Sequence, residues 1–348
     1  MKILVNYIAA SKGGAMSILK EFYEYIKEND KENTWVFLLS DNYIEKTNTI
    51  QVKVLKNVKK SWINRLKFDF FYGKKIINEI NPDVVFSMQN TCIRRINKKQ
   101  ILYVHQAIPF QKKKKFSFLR KEEFKLAMYQ YLIGGIIKKS IKISDKVIVQ
   151  SEWMKKSIIS KKLKENENIF KVEPSIRLEK VPHGKLINTN FFYPAGKAIY
   201  KNHECIISAC KILNNRGIKN FNVYLTLDNL TNIDGSMENI KFIGSIDRTK
   251  VLEKMMNSTL IFPSYLETYG LPLKEARELG TIVLASDCDF SKEVLKNYSN
   301  AYFFDPFKPN ELAFLMEEVM KNRIVYKKDM VGKEKKNSWK QVIEIINH

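Results

Sequence analysis

The sequence predicts an α/β protein made of two domains, each built on a largely parallel sheet. Short apolar runs alternate with helical patterns along most of the 348 residues, which is typical of parallel strands covered by helices. The chain is also longer than one compact core usually accommodates. Periodicity fades from Pro174 to about Thr189, which predicts a linker. We therefore expect domains at 1–173 and 190–330, followed by a C-terminal helical segment, 331–348.

The chain is strongly basic. Sixty Lys and Arg residues stand against 37 Asp and Glu, so the formal net charge is +23. An excess of this size indicates a polyanionic partner, either nucleic acid or an anionic membrane surface. Lys, Asn and Ile are abundant throughout, so coding bias is an alternative source of part of the charge.

Cysteine usage and hydropathy predict a reduced, cytoplasmic chain. The four cysteines show no paired metal-ligand spacing, which indicates neither disulfides nor a metal site. No apolar run approaches the length of a membrane span. The first residues are better explained as a strand than as a signal peptide, because the apolar stretch is short and runs into Gly13 and Gly14. We expect a cytoplasmic protein, either soluble or peripheral on the inner face of the plasma membrane.

The first domain begins with a buried strand over residues 2–9, a Gly13-Gly14 loop and an amphipathic helix from about Ala15 to Glu28. This order is how a mononucleotide-binding fold starts, and the two glycines let the backbone approach a ligand closely. A simple turn is the alternative. Six further strands are predicted in this domain, at Trp35–Leu39, Val52–Leu55, Val84–Met88, Ile101–His105, Val147–Gln150 and Ile169–Val172.

Two basic segments of the first domain carry bulky apolar residues between their lysines. They are Asn57 to Lys75 and Lys112 to Ile137. Such a mixture suits an element that lies on anionic lipid headgroups. Nucleic acid could use the same residues, and a solvated helix with its other side in the core is the plain alternative. The membrane is favoured, because one membrane-bound partner would account for both segments.

The second domain opens with a predicted strand, Phe191 to Ala195, and a helix that starts at Asn202 or His203. Lys201 lies just before that helix, where an ammonium group can meet a phosphate held at the helix N-terminus. An ordinary surface lysine is the alternative. The next strands are predicted at Val223–Leu227 and Ile240–Ile243, and a last one at Tyr302–Phe304 precedes a helix to about Met320.

The most informative stretch is Thr259 to Asp287, which predicts strand, loop, helix and strand. Two carboxylates, Glu267 and Glu275, lie in the loop and one turn into the helix. Because ligands of parallel sheets bind beyond the carboxyl ends of the strands, both can face one crevice. The backbone amides from Tyr269 to Leu273 open the helix and suit an anion such as a diphosphate.

The pattern P-S-x-x-E-x-x-G-L-P-x-x-E-A, from Pro263 to Ala276, resembles the signature of the retaining glycosyltransferases of family 4. That family implies the GT-B fold, in which two Rossmann-like domains face each other and a C-terminal helix crosses back to the first. By the resemblance, Glu267 contacts hydroxyls of the donor sugar and Glu275 holds the ribose of a sugar nucleotide. The co-substrate would be a sugar nucleotide, UDP-linked, and neither a metal nor another cofactor is expected.

The resemblance also assigns further residues. His105, which ends the run ILYVH, would hydrogen-bond the donor sugar, and Lys201 would neutralise the departing diphosphate. The arginine that usually accompanies this lysine falls near Ala195 and is missing, which makes Lys197 the nearest replacement. The remaining donor or acceptor contacts implied are Gly13, Gly14, Gly244 beside the base, and Tyr269, Gly270 and Leu271 at the helix opening.

The function implied is transfer of a hexose, with retention, to a growing lipid-linked polysaccharide such as capsule or O-antigen. A β-phosphate oxygen would take the acceptor proton, and Asp287-Cys288-Asp289 would be structural rather than a metal site. Two other classes stay open. One is a GT-B sugar-nucleotide epimerase or hydrolase, and the other is a nucleic-acid binder, which the charge alone supports and no nucleic-acid motif accompanies.

Overall fold

The computed structural model describes residues 1–10, 14–175, 186–228, 237–328 and 338–348. The chain divides into two compact units. Unit 1 comprises Met1–Arg120, Phe124–Glu173 and Asn337–His348, and unit 2 comprises Lys121–Glu123 and Pro174–Lys336. The middle of the expected linker, residues 176–185, lies outside the described residues.

Unit 1 is built on a sheet of seven strands, all parallel, in the order β3-β2-β1-β4-β5-β6-β7. Its central strands are apolar and buried, because a parallel sheet is covered by helices on both faces. The strands are β1 (Lys2–Asn6), β2 (Thr34–Leu39), β3 (Ile50–Val54), β4 (Val84–Ser87), β5 (Lys99–Val104), β6 (Lys146–Val149) and β7 (Ile169–Lys171).

Helices connect most of the consecutive strands of unit 1. They are α1 (Gly14–Asn29), α2 (Lys56–Lys59), α3 (Trp62–Lys67), α4 (Gly73–Ile80), α5 (Phe124–Ala127), α6 (Ile133–Ile143) and α7 (Glu152–Ser160). Two π-helical turns, Phe68–Tyr72 and Met128–Leu132, interrupt the helical segments, and a 3₁₀ turn lies at Asn166–Asn168. Both π turns fall within the basic, aromatic segments singled out from the sequence.

Unit 2 repeats the design with six parallel strands in the order β10-β9-β8-β11-β12-β13. The strands are β8 (Asn190–Tyr193), β9 (Asn222–Leu225), β10 (Ile240–Phe242), β11 (Thr259–Phe262), β12 (Val283–Ser286) and β13 (Ala301–Phe304). The helices are α8 (His203–Asn215), α9 (Arg248–Met256), α10 (Leu271–Leu279), α11 (Asp289–Val294) and α12 (Pro309–Met320), and a 3₁₀ turn covers Ile199–Lys201.

The last helix, α13 (Ser338–Asn347), packs in the core of unit 1, although the chain reaches it from unit 2. Its apolar stripe contributes Trp339, Val342 and Ile346 to the cluster that contains Phe22. The rings of Trp339 and Phe22 lie 4.9 Å apart between centroids. The expectation of a C-terminal helix that returns to the first domain is therefore confirmed.

Each strand predicted from the sequence is present, but several end earlier than predicted. The first ends at Asn6, β5 ends at Val104 and β8 ends at Tyr193. The residues beyond these ends, such as His105 and Ala195, belong to loops at the carboxyl edge of a sheet. In such a sheet these loops are where ligands bind.

Among the described residues, no helix combines the length and apolar character that crossing a bilayer would require. The four cysteines are buried, with free thiols. Burial raises the pKa of the Cys92, Cys205 and Cys210 thiols, so these side chains act as small apolar groups in the core.

Candidate active site

In unit 2, Lys201 and Glu267 meet where the strand order reverses. Strands β8 and β11 pair in parallel, with Phe191 opposite Thr259, and Lys201 follows β8 while Glu267 follows β11. The Lys201 Nζ lies 2.5 Å from the Glu267 Oε1, and their side chains are 22% and 15% exposed. The half-buried ion pair therefore occupies the topological switch point, the position where open parallel sheets bind ligands.

The loops around this pair are held by backbone carbonyls and hydroxyls. The Ser264 hydroxyl lies 2.8 Å from the Glu267 Oε1 and 3.1 Å from the Tyr200 carbonyl oxygen. The Tyr193 hydroxyl donates to the carbonyl of Lys201 at 2.8 Å. Burial and the nearby Glu267 charge raise the pKa of the Tyr193 and Tyr200 phenols, so both stay neutral hydrogen-bonding groups. Glu267 is thus oriented before any ligand arrives.

Asn202 positions the start of α8. It adopts a left-handed conformation, with φ of 60°, as N-cap of the helix, a conformation that asparagine tolerates better than most residues. Its side-chain amide donates to the carbonyl oxygens of Pro263 and Pro306 at 3.2 and 2.7 Å. These bonds join the loop that carries Lys201 to the loops after β11 and β13.

Glu275 is buried in α10 and is paired with an arginine from another helix. The Arg248 Nη1 lies 2.6 Å from the Glu275 Oε1, with side-chain exposures of 57% and 6%. Burial raises the pKa of Glu275, whereas Arg248 acts in the opposite direction. The arrangement presents a carboxylate whose second oxygen can accept ligand hydroxyls.

The opening of α10 offers fewer amides than the sequence suggests. Gly270 is the N-cap with φ of +93°, a backbone that favours glycine. Pro272 has no N–H group, and the Leu273 N–H donates to the Gly270 carbonyl at 2.9 Å. The expected row from Tyr269 to Leu273 is therefore wrong at its last two positions. Tyr269 is buried, while the Leu271 side chain is 44% exposed.

Gly244 and Lys197 are the remaining predicted contacts of unit 2. Gly244 has φ of +64°, and a Cβ there would lie 3.2 Å from the Asp228 Oδ1. Both residues follow neighbouring strands, so the Gly244 backbone lies at the carboxyl edge of the sheet. Lys197 is exposed in the loop after β8. The cation that the structure places beside Glu275 is Arg248.

In unit 1, Gly14 is the first residue of α1, whereas Gly13 lies outside the described residues. His105 follows β5 and is half-buried. Its backbone N–H donates to the Asn90 Oδ1 at 2.8 Å, and its Nε2 lies 3.2 Å from the Asn90 Nδ2. Burial lowers the pKa of His105 to about 4, so the imidazole is neutral at physiological pH.

The Asp287-Cys288-Asp289 motif has local partners. Asp287 lies 2.6 Å from the Lys292 Nζ, and Asp289 is the first residue of α11. Within the described ranges, no group of three or more His, Cys, Asp or Glu side chains is arranged to hold a metal ion.

Two functional candidates escaped the sequence analysis. Arg248 begins α9 after an Asp247 N-cap, but one arginine among 60 basic residues carries no sequence signal. Asn90 lies in the Gln89-Asn90-Thr91 loop after β4, where polar residues follow an apolar strand. The sequence contains this pattern of polar residues after an apolar strand, but only the contact with His105 indicates a role for Asn90.

Comparison with known proteins finds a family match in the second unit. Residues 188–338 match the family model described as glycosyl transferases group 1. Across 308 residues, the chain is 23% identical to the N,N'-diacetylbacillosaminyl-diphospho-undecaprenol alpha-1,3-N-acetylgalactosaminyltransferase of Campylobacter jejuni. That alignment covers 78% of this chain and 77% of the relative.

Solved structures share the fold at low sequence identity. WaaG, a glycosyltransferase involved in lipopolysaccharide biosynthesis, superposes with a TM-score of 0.67 at 14% identity, over 92% of this chain and 90% of WaaG. HepE of Anabaena, determined with UDP and glucose, gives 0.63 at 14% identity, over 93% and 90% of the two chains. The likeness confirms the predicted GT-B class of α/β fold.

Proposed function

We propose that this chain, whose residues 188–338 match the family model of the glycosyl transferases group 1 and which has the GT-B fold, transfers a hexose, with retention, from a UDP-linked sugar to a lipid-linked glycan. The Campylobacter relative is named for transfer to a diphospho-undecaprenol-linked sugar, and HepE was determined with UDP and glucose. These names support the donor and acceptor classes. The product would be a cell-surface polysaccharide of the capsule or O-antigen kind.

The observation that carries the proposal is the Lys201–Glu267 pair at the switch point of unit 2. An ammonium group beside the start of α8 can neutralise the charge that develops on a departing diphosphate. Glu267, already held by Ser264, can accept hydrogen bonds from hydroxyls of the sugar. Together the two side chains would contact the diphosphate and the sugar, the two groups joined by the bond that breaks.

The proposed reaction needs no protein nucleophile. The bond between the sugar C1 and the β-phosphate oxygen breaks, and the acceptor hydroxyl forms the new bond on the same face of the sugar. A β-phosphate oxygen takes the acceptor proton, so the leaving group also serves as the base. Glu275 would accept hydrogen bonds from the ribose hydroxyls and thereby fix the nucleotide.

The test begins with a search for the donor. Sugar nucleotides are screened for thermal stabilisation of the protein, and the donor that stabilises it is incubated with a lipid-diphosphate-linked sugar. We expect glycan product with the anomeric configuration of the donor, read by NMR. Free UDP without a new glycosidic bond would indicate a hydrolase, and an isomeric sugar nucleotide would indicate an epimerase; either result contradicts the proposal.

Variants of the pair test the site itself. Glu267→Gln and Lys201→Met should each lower kcat by roughly 100-fold, because each removes one charge-stabilising contact in the transition state. Lys211→Met, an exposed lysine on α8, is the matched control and should retain wild-type kcat. Full activity in Glu267→Gln would contradict the assignment of Glu267 to the active site.

A second part of the proposal concerns the lipid-linked acceptor, which requires the protein to work at a membrane. The two basic segments of unit 1 contact each other, because the rings of Trp62 and Tyr129 meet at 5.5 Å. Ile63, Phe71 and Leu119 are 65%, 68% and 97% exposed. Apolar side chains among lysines favour an anionic bilayer surface as the partner.

Vesicle sedimentation tests this surface. Binding should increase with the fraction of phosphatidylglycerol and decrease with salt, and a Phe71→Ser, Leu119→Ser double variant should lose most of it. Phe314→Ser, which changes a 55% exposed phenylalanine of unit 2, is the matched control. Equal binding to neutral vesicles, or stronger retention by duplex DNA than by anionic vesicles, would contradict the membrane proposal.

A further inference from the structure

His105 is held by a side chain to which neither the sequence nor the comparisons assign a role. Asn90 lies in the loop after β4, next to β5 in the sheet, and has a left-handed backbone with φ of 66°. Its amide contacts His105 twice. The Asn90 Oδ1 is 2.8 Å from the His105 backbone nitrogen, and the Asn90 Nδ2 is 3.2 Å from the His105 Nε2.

These two contacts determine the orientation of the Asn90 amide. A backbone N–H can only donate, so the atom that faces it must be the Asn90 oxygen. The amide nitrogen then faces the imidazole and can only donate to the His105 Nε2. An acceptor Nε2 carries no proton, and the single proton of the neutral ring must therefore lie on Nδ1.

The same geometry opposes protonation of the ring. In the imidazolium form, the Nε2–H would point at the N–H groups of Asn90, which are also donors. The titratable groups that face the ring are the phenols of Tyr7 and Tyr103, both in edge contact with it. Burial raises the pKa of both phenols, that of Tyr103 to about 12, so neither supplies a charge that would favour the imidazolium.

The His105 Nδ1 is buried and has no hydrogen-bond partner within the described part of the chain. A buried donor without a partner costs free energy, and each such group in a folded protein needs an explanation. Here the group follows β5 at the carboxyl edge of the sheet, the edge at which parallel sheets bind ligands. A ligand oxygen would satisfy it.

We infer that Asn90 is a positioning residue that sets the tautomer of His105, so that a neutral Nδ1–H donates a hydrogen bond to an oxygen of the sugar substrate. The inference rests on the proposed function, because it assumes that His105 meets that substrate. It excludes His105 as a general base, since Nε2 accepts from Asn90 and Nδ1 already carries a proton. The role of His105 is then that of a fixed donor.

The experiment compares Asn90→Asp with the wild type. Both carboxylate oxygens are acceptors, so one can accept from the His105 backbone N–H while the other accepts a hydrogen bond from an Nε2–H group. The tautomer should therefore switch to Nε2–H, or the ring should become charged near pH 7. Asn81→Asp is the matched control, because Asn81 is also left-handed, with φ of 48°, and lies in the loop before β4.

Ring nitrogen shifts of ¹⁵N-histidine-labelled protein report the tautomer directly. The chain has four histidines, and a His105→Gln variant assigns the signal. We expect Nδ1–H in the wild type and in Asn81→Asp, and a change in Asn90→Asp. In transfer assays, Asn90→Asp should lower kcat roughly 10- to 100-fold, as for one hydrogen bond to the transition state, with little change in KM for the sugar nucleotide.

The outcomes separate this inference from the proposed function. An Nε2–H signal in the active wild type, or an unchanged tautomer in Asn90→Asp, would overturn the inference and leave the transferase intact. Wild-type kcat in Asn90→Asp despite a switched tautomer would overturn the substrate contact. A protein with the expected tautomer that transfers no sugar from any nucleotide would instead overturn the proposed function.

Discussion

Replacing Glu275 by glutamine removes a buried charge and changes little else. If the carboxylate binds the ribose hydroxyls, the loss of charged hydrogen bonds should cost about 1.5–3 kcal/mol of binding free energy. That range corresponds to a roughly 10- to 150-fold higher Kd for the nucleotide. Isothermal titration of UDP into wild-type and Glu275→Gln protein measures the difference.

The structure also predicts that this substitution hardly affects stability. Burial opposes ionisation of Glu275, so the neutral amide avoids a desolvation cost. The arginine of the lost pair is 57% exposed, so water can solvate its charge once the carboxylate is gone, and we expect a loss of about 1 kcal/mol or less. The melting temperature should therefore change by less than about 4 °C.

Glu278→Gln, one turn along the same helix and less buried, is the matched control and should bind UDP as the wild type does. An unchanged Kd in Glu275→Gln would refute the ribose assignment. A weaker Kd accompanied by a melting temperature more than 10 °C lower would instead show that Glu275 acts through the fold, and would refute the reasoning on charge.

Three further predictions concern the same structure. Glu275 accepts hydrogen bonds most strongly when it is ionised, and its pKa is already raised in the fold. Arg248→Met removes a charge that lowers this pKa, so UDP binding should weaken at a higher pH than in the wild type, as titrations between pH 5 and 8 would show. Gly270→Ala should destabilise the protein by about 1–2 kcal/mol in urea denaturation, because φ there is +93°, whereas Gly196→Ala, with open space around its Cβ, should not. Burial raises the pKa of Asp69 to about 6, so the folded state binds this proton more tightly than the unfolded state and the carboxyl contributes less stability as pH rises. The free energy of unfolding of Asp69→Asn should therefore increase by about 1.4 kcal/mol relative to that of the wild type between pH 5 and pH 7. An unchanged difference between the two proteins would contradict the raised pKa.

Local patterns along the chain were sufficient to predict the strands and the helix of the central motif. The apolar run from Leu260 and the helix that ends before Gly280 both appear where the sequence places them, with Gly280 as a left-handed C-cap. Periodicity and capping depend on residues within a few positions of each other. The ends of strands were less well predicted, because apolar residues such as Ala195 continue past the last ladder hydrogen bond.

Contacts between side chains of different elements could not be predicted from the sequence. Arg248 and Glu275 meet because α9 and α10 pack against each other, and 60 basic residues offered no reason to choose this arginine. The missing arginine near Ala195 directed attention to Lys197, which is exposed. The structure places Arg248 beside Glu275, and the role expected of Lys197 stays a prediction.

By itself, then, the sequence determined the two parallel sheets, the return of the last helix and the identities of Glu267, Glu275, Lys201 and His105 as candidates. These features follow from short-range periodicity, from one compact motif and, for His105, from the family resemblance. Only the tertiary structure decided that Ser264 orients Glu267 and that Asn90 holds His105. Strand order and register bring separate loop ends together, and this information is distributed over the whole sheet rather than encoded beside the residues concerned.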